Sequence, residues 1–318
     1  MEAVQNRATQ LTASHLPMLG NLRPSAILLT ALMLLALRPS FAASPAKNKN
    51  PPVWSARWQP ARLVNGSPVV FQTVSPVRLE SLSGKWLDHD VFFFFDPHSQ
   101  SWFGIAGISL ETRPGKYVLA LEGKSHAGNT LSWQKSIVVG KASYRRIVVS
   151  VPKQFTEPNP EQQQEIKEDQ SLKREVFSRT DLQREWSGRF VAPVNAAVSD
   201  VFGTTRTFNG EVQSIHQGLD YGVPQGTPVA ALNRGTVLLA RPLFFEGNCV
   251  VLDHGQGLLT IYMHLSNFEV KEGEQVARGQ EIALSGGTGR ATGPHLHVAV
   301  RWQGIYLNPA TLLSLRLP

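Results

Sequence analysis

The sequence predicts a mainly β protein in which a helix connects two β domains. Three observations predict this fold class. The 318 residues include 26 glycines and 21 prolines, short apolar or alternating runs recur between turn residues, and only one segment is rich in helix-favouring charged residues. With 42% hydrophobic and 17% charged residues, the composition is that of an ordinary globular chain, and the length leaves room for two domains.

The chain begins with a predicted signal peptide at residues 1–42. The apolar run 26–37 is too short to span a bilayer comfortably, and Ser40 and Ala42 fit the small-residue pattern of a cleavage site. We expect translation from the first Met or from Met18, followed by cleavage after Ala42. The mature protein is then exported to the periplasm or cell envelope, or secreted, and has no stable membrane span. An uncut signal would instead anchor it in the membrane.

The first domain is predicted over residues 61–152, behind a linker at residues 43–60. The linker is rich in Pro, Lys and Asn. The domain contains runs such as SPVVFQTV and YRRIVVSV, separated by Gly, Pro, Asn and Asp turns, which is typical of a small, immunoglobulin-like β sandwich. Four consecutive phenylalanines at residues 92–95 fit a central strand. No residue of this domain indicates chemistry.

A helical connector is predicted over residues 153–187. Asn159 can cap the helix, Pro160 suits its first turn, and the residues that follow are mainly Glu, Gln, Lys and Arg. Apolar residues are too sparse for a coiled coil. We therefore expect this helix to pack loosely between the two domains.

The net charge indicates which kind of partner the chain can bind, and the cysteine content indicates whether it can form a disulfide. The formal net charge is +7, and removal of the three Arg and one Glu in residues 1–42 leaves +5. Such mild basicity favours an anionic polymer such as a cell wall. The chain has no Lys and Arg cluster interleaved with aromatic residues, so no nucleic-acid partner is expected. Cys249 is the only cysteine, which excludes an intrachain disulfide, and its neighbours predict a buried strand.

Three segments with histidine lie in the second half of the chain. They are HQGLDYG at residues 216–222, YMHLS at residues 262–266 and GPHLH at residues 293–297. Side chains alternate between the two faces of a strand. His295 and His297 are therefore expected to share a face, about 6–7 Å apart along the strand.

The same alternation predicts the faces of the middle segment. Tyr262 and His264 should share one face, and Ile261 and Met263 should occupy the other. Each of the three segments then presents histidine on a polar face with apolar residues opposite. Packing alone gives no reason for such histidines to converge, so the pattern indicates a functional site.

Histidine and aspartate together can form a catalytic zinc site. Such a site needs about three nitrogen or oxygen ligands near 2 Å and an open position for water. His216, Asp220 and His297 can supply these ligands. A straight strand would separate His216 from Asp220 by about 13 Å, so the chain must bend between them, and Gly218 supplies the backbone freedom for that bend.

These segments belong to a longer stretch, residues 188–309, that resembles the lysostaphin-type, or LytM-like, zinc endopeptidases, which cut peptide cross-bridges in bacterial cell walls. The resemblance also rests on the ordered series FGTTR, HQGLDYGVPQGTPVAALNRGTVLLA, GNCVVLDHGQGLLTIYMHLS and VKEGEQVARGQEIALSGGTGRATGPHLHVAV. It implies an antiparallel β-sheet metallopeptidase domain over residues 188–318 with an open groove across the site. The implied substrate is peptidoglycan, at its stem peptides or cross-bridges.

The resemblance also implies roles for individual residues. One Zn²⁺ per chain is implied, with His216, Asp220 and His297 as its ligands. His264 and His295 are implied to be the catalytic pair beside the metal-bound water. We expect this pair to activate the water and to stabilise the tetrahedral intermediate.

Two other functions are compatible with parts of the sequence. A zinc-bearing but non-catalytic relative would regulate or activate other cell-wall hydrolases. The run VKEGEQVARGQEI also fits the rhythm of biotinyl and lipoyl carrier domains, but no lysine follows Lys271 to carry the group. Residues 43–187 precede the enzyme domain and are expected to cover its groove. The loops at residues 203–215 and 241–248 depart from the family pattern and are expected to edge the groove.

Overall fold

The computed structural model describes residues 53–178, 181–208 and 212–318. The predicted signal peptide at residues 1–42 and most of the predicted linker lie outside these ranges. Inside them, no helix combines the length and the apolar composition needed to cross a membrane. The described part of the chain contains 21 strands, two α-helices and one short 3-10 helix. The prediction of a mainly β fold is therefore confirmed.

An eight-stranded sheet is formed by the first half of the described chain. Its strands are β1 Ser55–Gln59, β2 Leu63–Val64, β3 Pro68–Val74, β4 Leu79–Trp86, β5 His89–Asp96, β6 Ser101–Gly107, β7 Gly115–Ser125 and β8 Thr130–Gly140. They hydrogen-bond in the order β1-β3-β6-β5-β4-β7-β8-β2. The run of phenylalanines lies in β5, near the middle of this order. The immunoglobulin-like form of this sheet stays a prediction.

Strand β1 occupies residues whose composition predicted a linker. It pairs antiparallel with β3. Trp54, just before it, stacks on Trp133 of β8 with 5.9 Å between ring centroids, and Trp58 packs against the hydrophobic core. The two tryptophans supply the buried apolar surface that an ordered strand requires and that the neighbouring Pro, Lys and Asn do not provide.

The predicted connector contains a 3-10 turn at Lys153–Phe155 and helix α1 at Pro160–Ser178. Asn159 and Gln162 form a reciprocal cap at the start of α1. The Asn159 side chain accepts a hydrogen bond from the Gln162 N–H at 2.9 Å, and the Gln162 side chain accepts one from the Asn159 N–H at 3.0 Å. The helix ends well before residue 187, and residues 181–187 are not helical.

The connector contacts the second half of the chain both after the helix and through the helix itself. The N–H groups of Glu185 and Trp186 donate to the His254 carbonyl, at 2.8 and 3.3 Å. These bonds hold the segment in a non-helical path. Helix α1 buries Val176 to 2% exposure against a cluster that includes Leu239. Val176 is the one residue of α1 that the structure buries fully, and the expectation of loose packing stays a prediction.

The remaining strands form a ten-stranded sheet and a small three-stranded sheet. They are β9 Arg146–Val149, β10 Val198–Asp200, β11 Thr205–Phe208, β12 Val212–Ile215, β13 Gly218–Tyr221, β14 Pro228–Ala230, β15 Gly235–Leu243, β16 Gly247–Asp253, β17 Leu258–Phe268, β18 Gln275–Val276, β19 Glu281–Ser285, β20 Leu296–Trp302 and β21 Ile305–Leu307, followed by helix α2 Pro309–Ser314. The main path of the large sheet is β10-β13-β20-β17-β16-β15-β18, and the small sheet has the order β12-β11-β9. Strands β14, β19 and β21 attach beside the main path.

One hydrophobic core runs through both halves of the described chain. Gly107 of β6 lies against Trp302 and Leu307, since a Cβ on this glycine would be 2.9 and 2.7 Å from their side chains. The Asn308 N–H also donates to the Gly66 carbonyl at 2.8 Å. The two halves thus stabilise each other. The predicted domain boundaries stay predictions.

Strand β9 brings the first half next to the hairpin formed by β11 and β12. It runs parallel to β11, with Arg146 opposite Thr205 and Val149 opposite Phe208. Parallel strands need a long connection between them, and here the connection includes all of α1. The hairpin is therefore held by a strand from the other half of the sequence.

Candidate metal centre

Strands β13 and β20 place the predicted metal ligands side by side. Asp220 of β13 lies opposite His297 of β20 in an antiparallel pair, and His216 lies just before β13. One ligand atom from each residue lies within 4.8 Å of the other two. All three residues are buried. The fold thus brings together side chains that are up to 81 positions apart in the sequence.

The three donor atoms face one another directly. Asp220 Oδ1 lies 3.0 Å from His216 Nε2 and 2.7 Å from His297 Nδ1, and these two nitrogens are 3.0 Å apart. Two imidazole nitrogens and one carboxylate oxygen are a donor set that suits a catalytic metal, which keeps a further position for water or substrate. The group can hold a metal ion.

A backbone carbonyl holds His216 in one tautomer. His216 Nδ1 lies 2.9 Å from the Val201 carbonyl oxygen. Because a carbonyl oxygen only accepts, Nδ1 carries the proton and Nε2 presents its lone pair to Asp220 and His297. Metal binding requires a neutral imidazole with a free lone pair. His216 is therefore already oriented as a ligand.

Burial and the neighbouring histidines act in opposite directions on the Asp220 carboxyl group. Burial favours the neutral acid, but the contacts with the imidazole groups of His216 and His297 favour the ionised form, outweigh burial and hold the pKa of Asp220 well below its usual range. Burial also lowers the pKa of His297. Near neutral pH, the site therefore contains an anionic carboxylate and a neutral imidazole, which are the forms that bind metal.

Gly218 is required for a different reason from the predicted one. Its φ lies outside the left-handed region, and residues 216–217, which lie outside both β12 and β13, make the connection between these strands. A Cβ on Gly218 would lie 2.3 Å from His297 Nε2 and 2.6 Å from the Val298 carbonyl oxygen. Glycine is therefore needed because the His297 ring occupies the space of a side chain.

His264 and His295 lie beside the three candidate ligands. Their ring centroids are 4.8 Å apart, and His295 Nε2 is 4.0 Å from Asp220 Oδ1. His264 Nδ1 donates to the Thr288 carbonyl and His295 Nδ1 donates to the Gly293 carbonyl, each at 2.8 Å. In both rings, Nε2 is the unprotonated nitrogen when the imidazole is neutral. Two oriented proton acceptors therefore stand next to the candidate metal position.

The predicted faces of the middle segment are wrong for His264. Tyr262 points into the main core, where its hydroxyl accepts from the Leu232 N–H at 2.8 Å, whereas His264 points to the metal centre. The strand register shifts between Tyr262 and Leu265, and His264 has a φ of 61°. This bulge reverses the alternation, so His264 shares the face of Met263 and His297. His264 is thus placed by a backbone irregularity that its sequence does not announce.

Asp200 and Arg206 complete a charged network that sequence reasoning missed. Arg206 Nη2 lies 2.5 Å from Asp220 Oδ2 and 2.6 Å from Asp200 Oδ2. Asp200 also binds Arg145 and lies 3.4 Å from His216 Nδ1. Arg206 is part of the FGTTR segment, but its contact with Asp220 depends on the path of the β11–β12 hairpin. Arg206 therefore binds Oδ2 of Asp220, whereas Oδ1 of the same carboxylate faces the two histidines.

Two cavities flank the metal centre. One, of about 370 Å³, reaches Asp220 and His295 and is bounded on one side by β9. The other, of about 150 Å³, is lined by His216, His264 and His297. Arg206, Phe208 and Arg290 line both cavities. Side chains from the described parts of the 203–215 and 241–248 regions thus line these cavities, and their role at the edge of a substrate groove stays a prediction.

Residues 214–309 match the sequence model of Peptidase family M23. The chain carries an M23 peptidase domain. The family predicted from the histidine segments is therefore confirmed, although the resemblance was expected to start at residue 188. The run VKEGEQVARGQEI, which also fits carrier domains, lies inside this M23 domain.

Curated relatives match the region of the M23 domain. Over 103 residues, the chain is 44% identical to the peptidoglycan DD-endopeptidase ShyA of Vibrio cholerae, covering 32% of this chain and 23% of the relative. Over 98 residues, it is 43% identical to the DD-carboxypeptidase/endopeptidase Mpg of Neisseria meningitidis, covering 31% of this chain and 23% of the relative. The chain thus spans about a quarter of the length of these relatives.

A solved structure matches more of the chain than the M23 domain alone. A crystal structure from Pseudomonas aeruginosa, described as that of a candidate M23 peptidase, has a TM-score of 0.59 at 28% identity. The match covers 79% of this chain and 95% of that chain. The likeness in fold therefore extends beyond residues 214–309.

The M23 domain contains all five predicted site residues in one centre, and their individual roles stay predictions. Two other groups of chemical interest lie elsewhere. Cys249 is buried, and burial raises the pKa of its thiol well above the usual value. His254 is buried at a turn and bonded to the Arg234 carbonyl and to Thr260. Cys249 thus lies in a buried strand, as its neighbours predicted.

Proposed function

We propose that this chain is a zinc-dependent endopeptidase that hydrolyses peptide cross-links of bacterial peptidoglycan. The main support is the convergence of His216, Asp220 and His297 in an M23 domain, with His264 and His295 beside them. Some relatives are named peptidoglycan DD-endopeptidases. These names support a target amide bond that joins two centres of D configuration.

We propose one Zn²⁺ per chain, with His216, Asp220 and His297 as its ligands. The donor set of two imidazole nitrogens and one carboxylate oxygen supports this metal. When bound, zinc supplies Lewis acidity to the scissile carbonyl and to the attacking water. The chain itself keeps the ligands in their binding forms: the Val201 carbonyl fixes the tautomer of His216, and the ion pair with Arg206 favours the ionised form of Asp220.

His264 and His295 are the proposed catalytic pair and act through their Nε2 atoms. Backbone carbonyls fix both Nδ1 protons, so each Nε2 can take a proton from water or, once protonated, donate to the developing oxyanion. Burial lowers the pKa of His264 to about 3, which keeps it neutral in the resting site. Hydrolysis adds water across the amide and releases a carboxylic acid and an amine, and the proton removed from water goes to the leaving amine.

Digestion of purified peptidoglycan tests this function. The wild-type chain should release fragments cut at cross-links, identified by mass spectrometry, and a chelator should stop the release until Zn²⁺ is added back. Replacing His264 or His295 with Ala should abolish hydrolysis while most bound zinc remains, as measured by metal analysis. Equal loss of zinc from both variants would make these histidines ligands and would contradict their catalytic role.

The alternative is a zinc-bearing regulator that activates other cell-wall hydrolases without cutting peptides itself. It predicts bound zinc and no cleavage of either peptidoglycan or cross-link peptides. The names of the curated relatives do not favour this alternative. The same digestion experiment separates the two functions.

We also propose that the protein is exported to the periplasm or cell envelope. The apolar run 26–37 followed by Ser40 and Ala42 supports export, and a peptidoglycan substrate lies outside the cytosol. Sequencing of the mature N-terminus should place Ala43 first. A mature chain that still begins at Met18 or at the first Met would contradict cleavage and would favour a membrane anchor.

A further proposal concerns the first half of the chain, which we expect to be an immunoglobulin-like sandwich that restrains the groove. Three contacts support the restraint. Strand β9 pairs with β11, the Phe244 N–H donates to Asp169 of α1 at 2.6 Å, and Lys173 Nζ of α1 lies 2.5 Å from Glu246 Oε1. Deleting this half would expose the shared core, so single substitutions in α1 are the suitable test.

A further inference from the structure

The charge balance of the two cavities singles out one residue. Six charged side chains line these cavities: Arg145, Arg206, Arg290, Asp200, Asp220 and Glu246. Each of the three carboxylates forms an ion pair with a basic side chain. Of the three arginines, Arg145 and Arg206 form ion pairs with carboxylates. Within the described ranges, the guanidinium of Arg290 makes neither an ion pair nor a hydrogen bond. An unpaired cation that is partly withdrawn from water favours an anionic ligand.

Two aromatic rings hold the Arg290 side chain at the groove. Its guanidinium carbon lies 4.8 Å from the ring centroid of Phe208 and 4.6 Å from that of Phe245. Ring faces attract a guanidinium without using its N–H groups as donors to oxygen. The N–H groups of the planar guanidinium therefore stay free to donate two parallel hydrogen bonds to a carboxylate. Burial also lowers the pKa of Arg290, but an arginine remains charged near neutral pH.

The loop that carries Arg290 is fixed to the catalytic centre. The Arg290 N–H donates to the Phe245 carbonyl at 2.9 Å. The hydroxyl of Thr288, two residues earlier, donates a hydrogen bond to the Leu265 carbonyl at 2.8 Å. The Thr288 carbonyl accepts a hydrogen bond from His264 Nδ1. A short, hydrogen-bonded loop thus links the free cation to His264. Arg290 is positioned before substrate binds, which favours selective recognition.

Substrates of DD-peptidases share a carboxylate at a defined place. When a terminal D-residue is removed, the carbon attached to the scissile nitrogen carries the free carboxylate of that residue. When a cross-link is cut at the nitrogen on a D-centre of the acceptor residue, the carbon attached to the scissile nitrogen again carries a free carboxylate. A cross-bridge cut between two internal glycines has no charge at this position. A cation next to the metal centre can therefore distinguish these classes.

We propose that Arg290 binds the carboxylate carried by the carbon attached to the scissile nitrogen and thereby selects DD-peptides over uncharged cross-bridges. This inference rests on the proposed endopeptidase function and names the substrate class of the same site. Arg206, the other arginine that lines both cavities, is neutralised by Asp200 and Asp220. Arg290 keeps its charge throughout hydrolysis and contributes binding and orientation.

Two synthetic cross-linked peptides test this assignment. Both contain the same DD amide, and they differ only in a carboxylate or a carboxamide on the carbon attached to the scissile nitrogen. For the zinc-loaded wild-type chain, kcat/KM should be about 10- to 100-fold higher for the carboxylate peptide, which is the usual range for a charge-assisted contact. In Arg290→Met, the ratio of the two kcat/KM values should fall close to one. Arg290→Lys should keep part of the preference.

Arg301 provides a matched control. Its guanidinium carbon also lies over aromatic rings, at 4.6 Å from Phe177 and 6.0 Å from Tyr306, but it lines neither cavity. Arg301→Met should keep the wild-type ratio, and zinc per chain should be equal in all variants. Equal cleavage of both peptides by the wild type, or an unchanged ratio in Arg290→Met, would overturn the role of Arg290 and leave the endopeptidase function standing. Failure to cut either peptide or peptidoglycan would overturn both.

Discussion

Gly218 and His297 are in contact across adjacent strands, so closely that a Cβ on Gly218 would lie 2.3 Å from His297 Nε2. The other nitrogen of the same ring faces Asp220 at 2.7 Å. The ring of a candidate ligand thus occupies the space of a missing side chain. Any residue larger than glycine must displace the imidazole or the strand that carries it.

Gly218→Ala should therefore weaken zinc binding. The added methyl group pushes His297 away from Asp220, and we expect a loss of about 10- to 100-fold in zinc affinity, as for other changes that disturb the orientation of a ligand. Competition with a chromophoric chelator measures this affinity. The control is Gly222→Ala, because a Cβ at Gly222 would meet only Ser199, at an ordinary 3.7 Å. Equal affinities in the two variants would contradict the prediction.

Arg206→Met should also lower zinc affinity, by a different route. Arg206 holds Asp220 Oδ2 at 2.5 Å, and without it the carboxylate can rotate away from the two histidines. We expect a loss of about 10- to 100-fold, together with a lower free energy of unfolding because Asp200 also loses a partner. Arg145→Met is the control, since Arg145 binds Asp200 but makes no contact with Asp220. If both variants bind zinc equally, Arg206 has no orienting role.

His254 should make the fold sensitive to acid. Burial lowers its pKa from 6.5 to about 4, so the unfolded chain takes up a proton more readily than the folded one. The stabilisation from neutral His254 is complete above pH 6.5 and is lost as the pH falls from 6.5 to 4, with a total near 3 kcal/mol, or about 1.4 kcal/mol per pKa unit. Neighbouring Asp253, whose pKa burial raises to about 6, acts in the opposite direction over part of this range.

The opposing effect of Asp253 makes a comparison of variants necessary. His254→Gln should be less stable than the wild type at neutral pH, because a well-bonded buried ring is lost. The difference in free energy of unfolding between the two proteins should shrink as the pH falls, measured by urea unfolding at about pH 7, 6 and 5. A difference that stays constant with pH would show that His254 is not the group responsible.

Asp169→Ala should speed the digestion of peptidoglycan. Asp169 of α1 accepts the Phe244 N–H at 2.6 Å and so ties the helix to the loop that edges the groove. Loss of this bond should loosen the loop and raise the rate about 2- to 10-fold, the range expected from a bond worth about 0.5–1.5 kcal/mol. Asp169→Asn keeps an acceptor oxygen and should behave like the wild type. If both variants digest at the wild-type rate, the helix does not restrain the groove.

Several features of the fold and the site could be predicted from local sequence. Glycine and proline turns between short apolar runs predicted a mainly β chain, and Asn159 with Pro160 predicted the start of α1. The types of residue in the histidine segments, with the family resemblance, predicted five residues that the fold brings together, and their roles stay predictions. These predictions succeeded because they depend on residues close together in sequence, or on chemistry that few side chains can provide.

Other features depend on pairing between distant segments, and only the tertiary structure decided them. The bulge at His264 results from how β17 pairs with β16, so simple alternation predicted the wrong face. The contact of Arg206 with Asp220 and the unpaired state of Arg290 depend on where the β11–β12 hairpin lies. The sequence by itself thus determined which side chains can bind metal. Backbone register and long-range packing decided how they are oriented and which charges remain free, because these result from the summed contacts of the whole chain.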